Sequence, residues 1–520
     1  MNTFVEAIAK DDTDSWEQRL KPKSALKNEM PRGYSRKTID ERWKIIMSNS
    51  KVSQSDMGED IQSILFDKIT ESQTMLFKDN IENFVGTVKV PLGIAGPIRV
   101  NGMHAQGDFL VPLATTEAAL VASISRGISV INQSGGATSV VIMEGVNRDP
   151  CFQFEDMIQV GKFLAWSASQ FKEYKTAAEK TTRFGKLIDI KYVCEGNDVH
   201  IKFVYVTGDA SGQNITTIAT EAIVEYIMAN SPIKPTKHFL EGGMSGDKKG
   251  NQVVMSYVRG RRVIAQCNVP DDVIINTLHV TPEQLMDATS IGTRGVMISG
   301  AIGASCHFSN AITSMAIALG QDPACAAECH VGLCRTTRLK GSVQFSVTLP
   351  NILVGTVGGG TKLPSQKACL EMMGLFGNGK ANALAEVMAA VLIAGEISLG
   401  GAIISGDFAR AHKILARDTS EPINLEQDSL DEAFNKAQAQ LVKLNHLPAR
   451  DQIMKVYGLY KQSTVGDINI DRPGFFSTDI KGKAKHDAWE KYRGTPKETA
   501  KLNYIKLVQE LVANDASISA

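Results

Sequence analysis

Gly246-Asp247-Lys248-Lys249-Gly250 sets two lysines beside a carboxylate between glycines. Alone it reads as a solvated charged turn, and composition favours that reading. Its surroundings change the weight. From about Glu82 to Asp418 the chain is rich in Gly, Ala, Val and Ile, with glycine-rich turns between apolar runs. That is the texture of an enzyme core of mixed helices and strands. Inside it, the β-prone runs of Leu187–Thr207 (IDIKYV and HIKFVYV) read as paired strands. Upstream, Leu113-Ala-Thr-Thr-Glu117 precedes a helical run from Ala118 to Arg126, so Glu117 falls in a first turn, where a carboxylate complements the helix dipole. Downstream, Gly320-Gln-Asp322-Pro places Asp322 at a helix end, where a carboxylate is costly without a cationic partner. His412 lies in the helical stretch FARAHKIL, with Phe408 and Leu415 at i−4 and i+3, a pattern more often structural than catalytic.

Length and composition bound the answer. At 520 residues the chain has room for about three or four domains. Apolar residues at 43% and charged residues at 22% supply substantial cores and exclude disorder for most of it. The balance of 56 basic and 56 acidic residues argues against a general polyanion binder, so no nucleic acid is expected. The most apolar stretch, Ala383–Ser405, carries Glu386, Glu396 and three glycines and reads as a buried core helix, with no membrane span expected. The start, MNTFVEAIAKDDTD, lacks the basic flank and apolar run of a secretory signal. Eight cysteines without a regular framework suggest free thiols, hence a cytoplasmic protein. Residues 1–80 are polar and irregular with helical patches such as Ile61–Phe66, and 419–424 reads as a short linker to a lysine-rich, helix-prone tail.

Some apparent motifs carry nothing. Gly374-Leu-Phe-Gly-Asn-Gly379-Lys380 fits most of a phosphate-binding loop, but Ala381 stands where the Mg²⁺-binding hydroxyl belongs and no strand precedes it. Cys325, Cys329, His330 and Cys334 have loose spacing for zinc, so buried thiols are expected and no metal site. Neither GxGxxG nor GxSxG occurs, which removes the signatures of an ordinary dinucleotide fold and of a nucleophile elbow.

Taken together, the segments decide. PLGIAGPI (91–98), PLATTE (112–117), TGDASGQN (207–214), GDKK (246–249), HFSN…GQD (307–322), GTVGGGT (355–361) and AGEISL…ARAH (394–412) resemble the 3-hydroxy-3-methylglutaryl-CoA (HMG-CoA) reductase family over about 82–418, in its order and spacing. The likeness is closer to the NADPH-using class, including Thr182-Arg183-Phe184 where that family has Ser-Arg-Phe. It implies an α+β fold: a large substrate-binding domain (82–149 and 241–418) with an inserted small, ferredoxin-like NADPH-binding domain (150–240), after an N-terminal helical segment (1–81).

The resemblance also implies chemistry. Hydride reduction of the HMG-CoA thioester releases CoA, and a second hydride reduces the resulting aldehyde. Lys248 would stabilise the oxyanion, Glu117 would be the general acid, and Asp322, hydrogen-bonded between the two, would tune both. His412 would protonate the departing CoA thiolate. Asn310 would orient Lys248, and Arg148 with Lys249 would bind the substrate's terminal carboxylate; Ser123, Arg126 and Asp247 join the substrate-binding set. Arg183, Phe184, Asp209, Gly212, Gly358 and Gly359 would line the cofactor site, where glycines let the backbone approach closely. A homodimer or homotetramer is implied, with the site across a subunit interface and with Glu117 and Asp322 reaching it from a different chain than the cofactor domain. Departures are visible: Ser211 and Gln213 replace the family's methionines, Glu241-Gly242-Gly243 replaces Ser-Gly-Asn, Arg294 is the nearest cation to a missing lysine, and Asp418 occupies the eukaryotic phosphoserine position. The departures keep open two alternatives, a reductase of another acidic acyl-CoA and a CoA-ester-binding scaffold without catalysis.

The tail resembles a second family. Tyr457-Gly-Leu-Tyr-Lys-Gln-Ser-Thr-Val-Gly-Asp-Ile-Asn469, Arg472-Pro-Gly, Lys481-Gly-Lys-Ala-Lys485-His-Asp-Ala-Trp489 and Tyr504-Ile-Lys-Leu-Val look like acyl-CoA-binding protein over about 427–515. An all-α four-helix module at 425–515 that binds acyl-CoA is implied, with Tyr457, Tyr460, Lys461, Lys485 and Tyr504 at its site. Lysines suit CoA phosphates as point charges, and tyrosines offer an apolar body with a polar tip.

Overall fold

The computed structural model describes residues 30–58, 60–409, 430–444, 448–470, 472 and 480–519. A first compact unit runs to Lys89, beyond the expected boundary at 81. Its chain holds helix Arg36–Met47, capped by the Ser35 hydroxyl, and the short helix Asp60–Leu65. Ile39, Trp43, Phe66 and Phe84 form its core. Phe84 explains the later boundary, because residues after 81 still pack into that core and Thr87 N–H bonds the Leu65 carbonyl. Arg42 is fully buried and donates to the carbonyls of Pro31, Gly33 and Phe84, which satisfies a charge that burial would otherwise make costly.

The second unit, from Val90 onward, is built on a ten-stranded sheet. Strands β1 (Leu92–Gly102) and β2 (Gln106–Ala114) form an antiparallel hairpin, and β1 also pairs in parallel with β3 (Ala137–Arg148). Beyond β3 lie β8 (Gly260–Pro270), β10 (Ser342–Ile352) and β9 (Leu333–Leu339) in antiparallel order. The last residues of β3 leave that register and pair with β6 (Asp198–Val206), which carries β5 (Lys186–Glu195), β4 (Cys151–Gln153) and, through β4, β7 (Lys237–Phe239). The expected strand pair is β5 with β6. One strand therefore serves two cores. Phe152, Phe163, Tyr174, Phe203 and Ile223 cluster on one side of this junction, and β1–β3, β8 and β10 build the larger core on the other.

Helix Ala381–Ser405 runs through the larger core. It is apolar on all faces and almost wholly buried, although its length and composition alone would allow it to cross a membrane. Its two acids, Glu386 and Glu396, find backbone amides. Glu386 accepts from His104 and Ala105 at 2.8 Å and so fastens the β1–β2 turn. Glu396 accepts from Cys306 at 2.9 Å and from His307 at 2.8 Å. Helix Leu120–Gln133 buries Leu120, Ile124, Gly127, Ile128 and Ile131, an i, i+4, i+7 stripe that faces the central helix.

Toward the C-terminus, helices Leu430–Val442, Arg450–Thr464, Ile480–Glu490 and Lys497–Ser519 pack around Ala433, Phe434, Leu459, Tyr504, Ile505 and Val508. Gly458 permits the second and third of these to touch, since a Cβ there would lie 2.1 Å from the Ala488 carbonyl oxygen.

The tightest helix contact of the larger core is at Gly127, where an added Cβ would lie 1.8 Å from the Ala394 carbonyl oxygen. That atom is backbone of a buried helix and cannot step aside cheaply. Gly127→Ala should therefore destabilise the protein by at least about 1–3 kcal/mol, the usual cost of overpacking. Urea denaturation of the full chain checks it; an unchanged midpoint would mean that the two helices do not meet there.

Candidate active site

Lys248 sits in the loop between β7 and β8 with a left-handed backbone, φ 56°. A non-glycine residue held there needs support from its surroundings. The support is visible: its backbone N–H bonds the buried Glu328 carboxylate at 3.3 Å. Its ammonium lies 3.0 Å from Asp322 Oδ2, with side chains 48% and 38% exposed, so the pair is open to an incoming molecule. Asp322 caps the short turn Pro323–Cys325 and accepts the Ala324 N–H at 3.0 Å. The hydrogen bond to Asp322 raises the Lys248 pKa above its ordinary value. For Asp322, burial pushes the carboxyl up, but the bonds from Lys248 and Ala324 outweigh it and hold the group below the usual carboxylate range.

Behind the pair lies a buried ion cluster. Arg259, 1% exposed, hydrogen-bonds both Glu328 oxygens at 2.6 and 2.7 Å through Nη1, and its Nη2 forms an ion pair with Asp247 at 2.9 Å. Asn351 donates to Glu328 at 3.1 Å and accepts the Arg259 N–H at 2.6 Å. Burial works against the guanidinium charge, yet Glu328 and Asp247 hold its pKa above the usual value. Asp247 is shared with Arg148, whose Nη1 lies 3.2 Å from Asp247 and 2.9 Å from Glu241. Lys202 pairs with the buried Asp149 at 2.6 Å and donates to the Met244 carbonyl in the same loop. The GDKK turn is thus fixed by charges that flank it on both sides.

Three loops meet beside Asp322 in a cleft of about 410 Å³: 210–215, 320–322 and 355–361. Glycine makes the meeting possible. A Cβ on Gly355 would lie 2.5 Å from the Ser211 nitrogen, and one on Gly320 would lie 2.4 Å from the Gly360 carbonyl oxygen. Gly212, with φ 86°, caps helix Gln213–Asn230, so the positive end of that helix opens into the cleft. Gln213 reaches across to Asp322 at 3.4 Å and to Cys325 Sγ at 3.1 Å. Gly358 and Gly359 line the cleft, whereas Asp209 points away: its carboxylate accepts the Gly379 and Ala381 amides at 2.7 and 3.1 Å and caps the central helix. This also accounts for the apparent phosphate loop at 374–380, whose helix start is occupied by a carboxylate. Arg183 stacks over the exposed Phe184 ring at 5.8 Å, and neither lines the cleft. Their loop abuts it through Gly185, packed on Ile215.

A second cavity, of about 360 Å³, holds Glu117, Ser123, Arg126, His307 and Asn310. Asn310 donates to Glu117 at 3.2 Å, and Glu396 holds the turn that presents Asn310. Ser398 on the central helix bonds both Ser123 and Arg126 at 3.0 Å.

Within one chain, some of the expected site residues come together and others do not. Asp322 is bonded to Lys248 but not to Glu117; within one chain Glu117 takes Asn310 instead, so Asn310 does not orient Lys248 here. The two halves stand on different loops, before helix Leu120–Gln133 and after helix Phe308–Ala318, and their cavities share no lining residue. Asp322 lies in the same chain's glycine-lined cleft, not in a different chain from it. Arg148 is already engaged by two carboxylates, and Lys249 is exposed with its ammonium on the Asp247 carbonyl. Asp247 is the counter-ion of two arginines. His412 and Asp418 lie outside the described residues. Arg294 is exposed on helix Pro282–Ser299 and bonds only its neighbour Ser290. Among the thiols, burial pushes Cys329 up to about 12, and its sulfur accepts the Leu353 amide.

Sequence reasoning missed Arg259, Glu328, Asn351, Glu396 and Ser398. The arginine-rich Val258-Arg-Gly-Arg-Arg262 at the start of an apolar strand was the available signal, since charges in a core strand require buried partners. In the tail, Lys461 lies 4.7 Å from the Trp489 ring and Lys485 lies 5.2 Å from the Tyr457 ring. Burial, and then Lys485, pushes the Lys461 pKa down. Tyr504 packs against Phe434 with tilted rings 4.8 Å apart and belongs to the bundle core, with Tyr460 beside it.

Arg259→Met should destabilise the fold by about 3–5 kcal/mol, because Glu328 would be left charged and buried without its partner. Arg259→Met combined with Glu328→Met should recover most of that loss. Chemical denaturation of the two variants checks it; equal loss in single and double variants would contradict the pairing.

The comparisons agree with this geometry. The family model described as hydroxymethylglutaryl-coenzyme A reductase matches residues 38–417, reaching back into the first unit, and that described as acyl CoA binding protein matches 431–508. The chain is 37% identical to 3-hydroxy-3-methylglutaryl-coenzyme A reductase of Methanocaldococcus jannaschii, over 71% of this chain and 91% of that protein. It is 39% identical to the enzyme of the same name from Methanothermobacter thermautotrophicus, over 65% and 85%. Among solved structures, the class II reductase of Streptococcus pneumoniae bound to NADPH shares the fold, with TM-score 0.51 at 18% identity, over 72% of this chain and 98% of that one. With its central helix, glycine-lined cleft and Lys248–Asp322 pair, this chain belongs to the hydroxymethylglutaryl-coenzyme A reductase family and carries an acyl-CoA-binding-protein domain at 431–508.

Proposed function

We propose that the chain reduces HMG-CoA to mevalonate and CoA with NADPH as hydride donor. The observation that carries the reading is the Lys248–Asp322 ion pair at the edge of a cleft walled by glycine backbone. The cleft suits a nucleotide: its glycines leave room at Gly355 and Gly320, and a helix N-terminus offers amides to phosphate. Gly212, Gly358 and Gly359 would hold NADPH there, with Arg183 and Phe184 at its lip. NADPH, when bound, supplies a hydride to each carbonyl in turn.

The protein's part is charge and protons. Lys248 faces the carbonyl oxygen as negative charge develops on it, and Asp322 keeps the ammonium charged and aimed. Glu117 delivers a proton to that oxygen, and Asn310 holds its carboxyl. His412 protonates the CoA thiolate as it leaves. Ser123 and Arg126 bind the CoA ester, while Arg148 and Lys249 receive the terminal carboxylate. Glu117 and Asp322 line separate cavities within one chain, which supports a homodimer, or homotetramer, in which each site takes one half from each copy. Ile291, Met297 and Ile298, exposed on helix Pro282–Ser299, offer apolar surface for such contact. We place the reductase large domain at 90–149 and 241–418, the cofactor domain at 150–240 and the acyl-CoA module at 425–515, in a cytoplasmic protein.

Two variants separate the roles. Lys248→Ala should abolish reduction of both HMG-CoA and mevaldehyde, by more than about 10²-fold, since a charged donor exceeds a neutral oxyanion donor. His412→Gln should stop only the thioester, because mevaldehyde has no thiolate to protonate. Nicotinamide absorbance follows both reactions. Lys248→Ala turnover close to wild type would remove the lysine from the mechanism, and equal loss on both substrates would make His412 structural.

For the module, Lys461→Ala and Lys485→Ala in the full chain should each weaken palmitoyl-CoA binding by about tenfold, more at low salt, as expected for point charges on phosphates. Calorimetry with unchanged affinity in both variants would place the ligand elsewhere.

A further inference from the structure

We propose that Glu241 is a specificity-determining residue: an internal carboxylate seated on Arg148, which the free terminal carboxylate of the acyl-CoA substrate must displace. The inference rests on the reading of Arg148 given above. Arg148 is nearly closed to solvent, its side chain 10% exposed, and the Glu241 side chain is 32% exposed, so Glu241 lies on the solvent side of the pair. Glu241 Oε2 lies 2.9 Å from Arg148 Nη1. Its other oxygen accepts the Gly243 N–H at 2.9 Å, which fixes the carboxylate in place. Asp247 holds the same Nη1 at 3.2 Å and is itself fastened by Arg259.

The chemistry follows from the donor set. Arg148 Nη1 already serves two acceptors, and Arg148 Nε, buried, has no partner. A guanidinium binds carboxylate best through two parallel N–H groups. An incoming carboxylate that takes Nη1 displaces Glu241 before Asp247, because Glu241 is the more exposed of the two and Asp247 is held by Arg259 as well. Binding is then an exchange of one carboxylate for another. The exchange costs a hydrogen bond to Arg148 and leaves Glu241 close to the newcomer, a like charge. The motif read from the sequence has a hydroxyl residue at this position in the family, and a hydroxyl would neither fill the guanidinium nor repel the ligand. The site as built therefore discriminates weakly in favour of a free carboxylate and binds it with reduced affinity.

The test uses the full chain with Glu241→Ser and the isosteric Glu241→Gln. Asp247 still pairs Arg148 in both, so neither variant strands the arginine. Calorimetry with free 3-hydroxy-3-methylglutarate should show about a tenfold gain in affinity for Glu241→Ser, as one charge-assisted contact is released to the ligand, and a smaller gain for Glu241→Gln. In kinetics, KM for HMG-CoA should fall by a similar factor with kcat within about threefold, since binding is improved without new contacts to the reacting carbonyl. 3-Hydroxybutyryl-CoA, which lacks the free terminal carboxylate, should bind wild type and variants alike. Unchanged or weaker dicarboxylate binding in both variants would overturn the proposal, and an equal gain for 3-hydroxybutyryl-CoA would also overturn it. If wild type fails to reduce HMG-CoA, the function reading falls, while the calorimetric comparison still decides whether Glu241 guards Arg148.

Discussion

The guanidinium of Arg259 is the contact on which the GDKK loop depends. It is buried at the start of β8, where the chain returns from the smaller core, and it binds Glu328 and Asp247 at once. Glu328 in turn accepts the Lys248 amide, and Asp247 precedes Lys248 in the chain. Lys248 is therefore held from the backbone side and from its neighbour, which is how a non-glycine residue can stay at φ 56°. The side chain is left to meet Asp322 alone. A buried ion cluster is a poor source of stability, because desolvation offsets most of its Coulomb energy. Its value here is geometric: charges with few satisfactory partners admit few arrangements.

The same division recurs in the rest of the active region. Glu386 and Glu396 are carboxylates in an apolar helix, and each is satisfied by backbone amides of a distant turn. Helix Ala381–Ser405 thus does two jobs. Its methyl groups fill the larger core, and its acids set the register of loops that the core cannot grip. Glycine completes the arrangement where loops must touch: Gly355 against Ser211 and Gly320 against Gly360 bring three chain segments to one cleft. Substitution at any of these would separate the walls rather than merely crowd them.

Much of this was legible in the sequence, and the limits are physical. The apolar run of the central helix, the β5–β6 pair, the GDKK turn and the glycine loops all announce themselves through local pattern, which is set by residues near in the chain. Lys248 and Asp322 were expected to meet, and they do. What local pattern does not hold is which side chain takes which partner across the fold. Asn310 pairs with Glu117 rather than Lys248, and Asp209 caps a helix start at Gly379 and Ala381 rather than facing the cleft. Arg259, Glu328 and Asn351 are separated widely in sequence, so nothing in their neighbourhoods marks them as one cluster. The boundary at Lys89 was hidden for a similar reason: Phe84 joins its core through rings farther back in the chain, Tyr34, Phe66 and Phe77.

Two of the residues in which this chain departs from its family share one trait. Glu241 and Gln213 bring a carboxylate and an amide where the family motif has a hydroxyl and a thioether, and each has found a partner near the GDKK loop, Arg148 in one case and Asp322 in the other. Around the GDKK loop, Arg148, Arg259 and Lys202 face Asp149, Glu241, Asp247 and Glu328. The four acids outnumber these three cations by one, and adding Lys248, paired with Asp322, and Lys249 on the open side of the loop brings these named groups to balance. A site that recognises an anion through surplus positive charge gains affinity cheaply but accepts many anions. One that has balanced its own charge must recognise by exchange, and exchange rewards only a ligand that reproduces the geometry of the group it replaces. That requirement shifts the burden of recognition from net charge to shape, which is consistent with a catalytic pair kept rigid by buried ions rather than by the substrate.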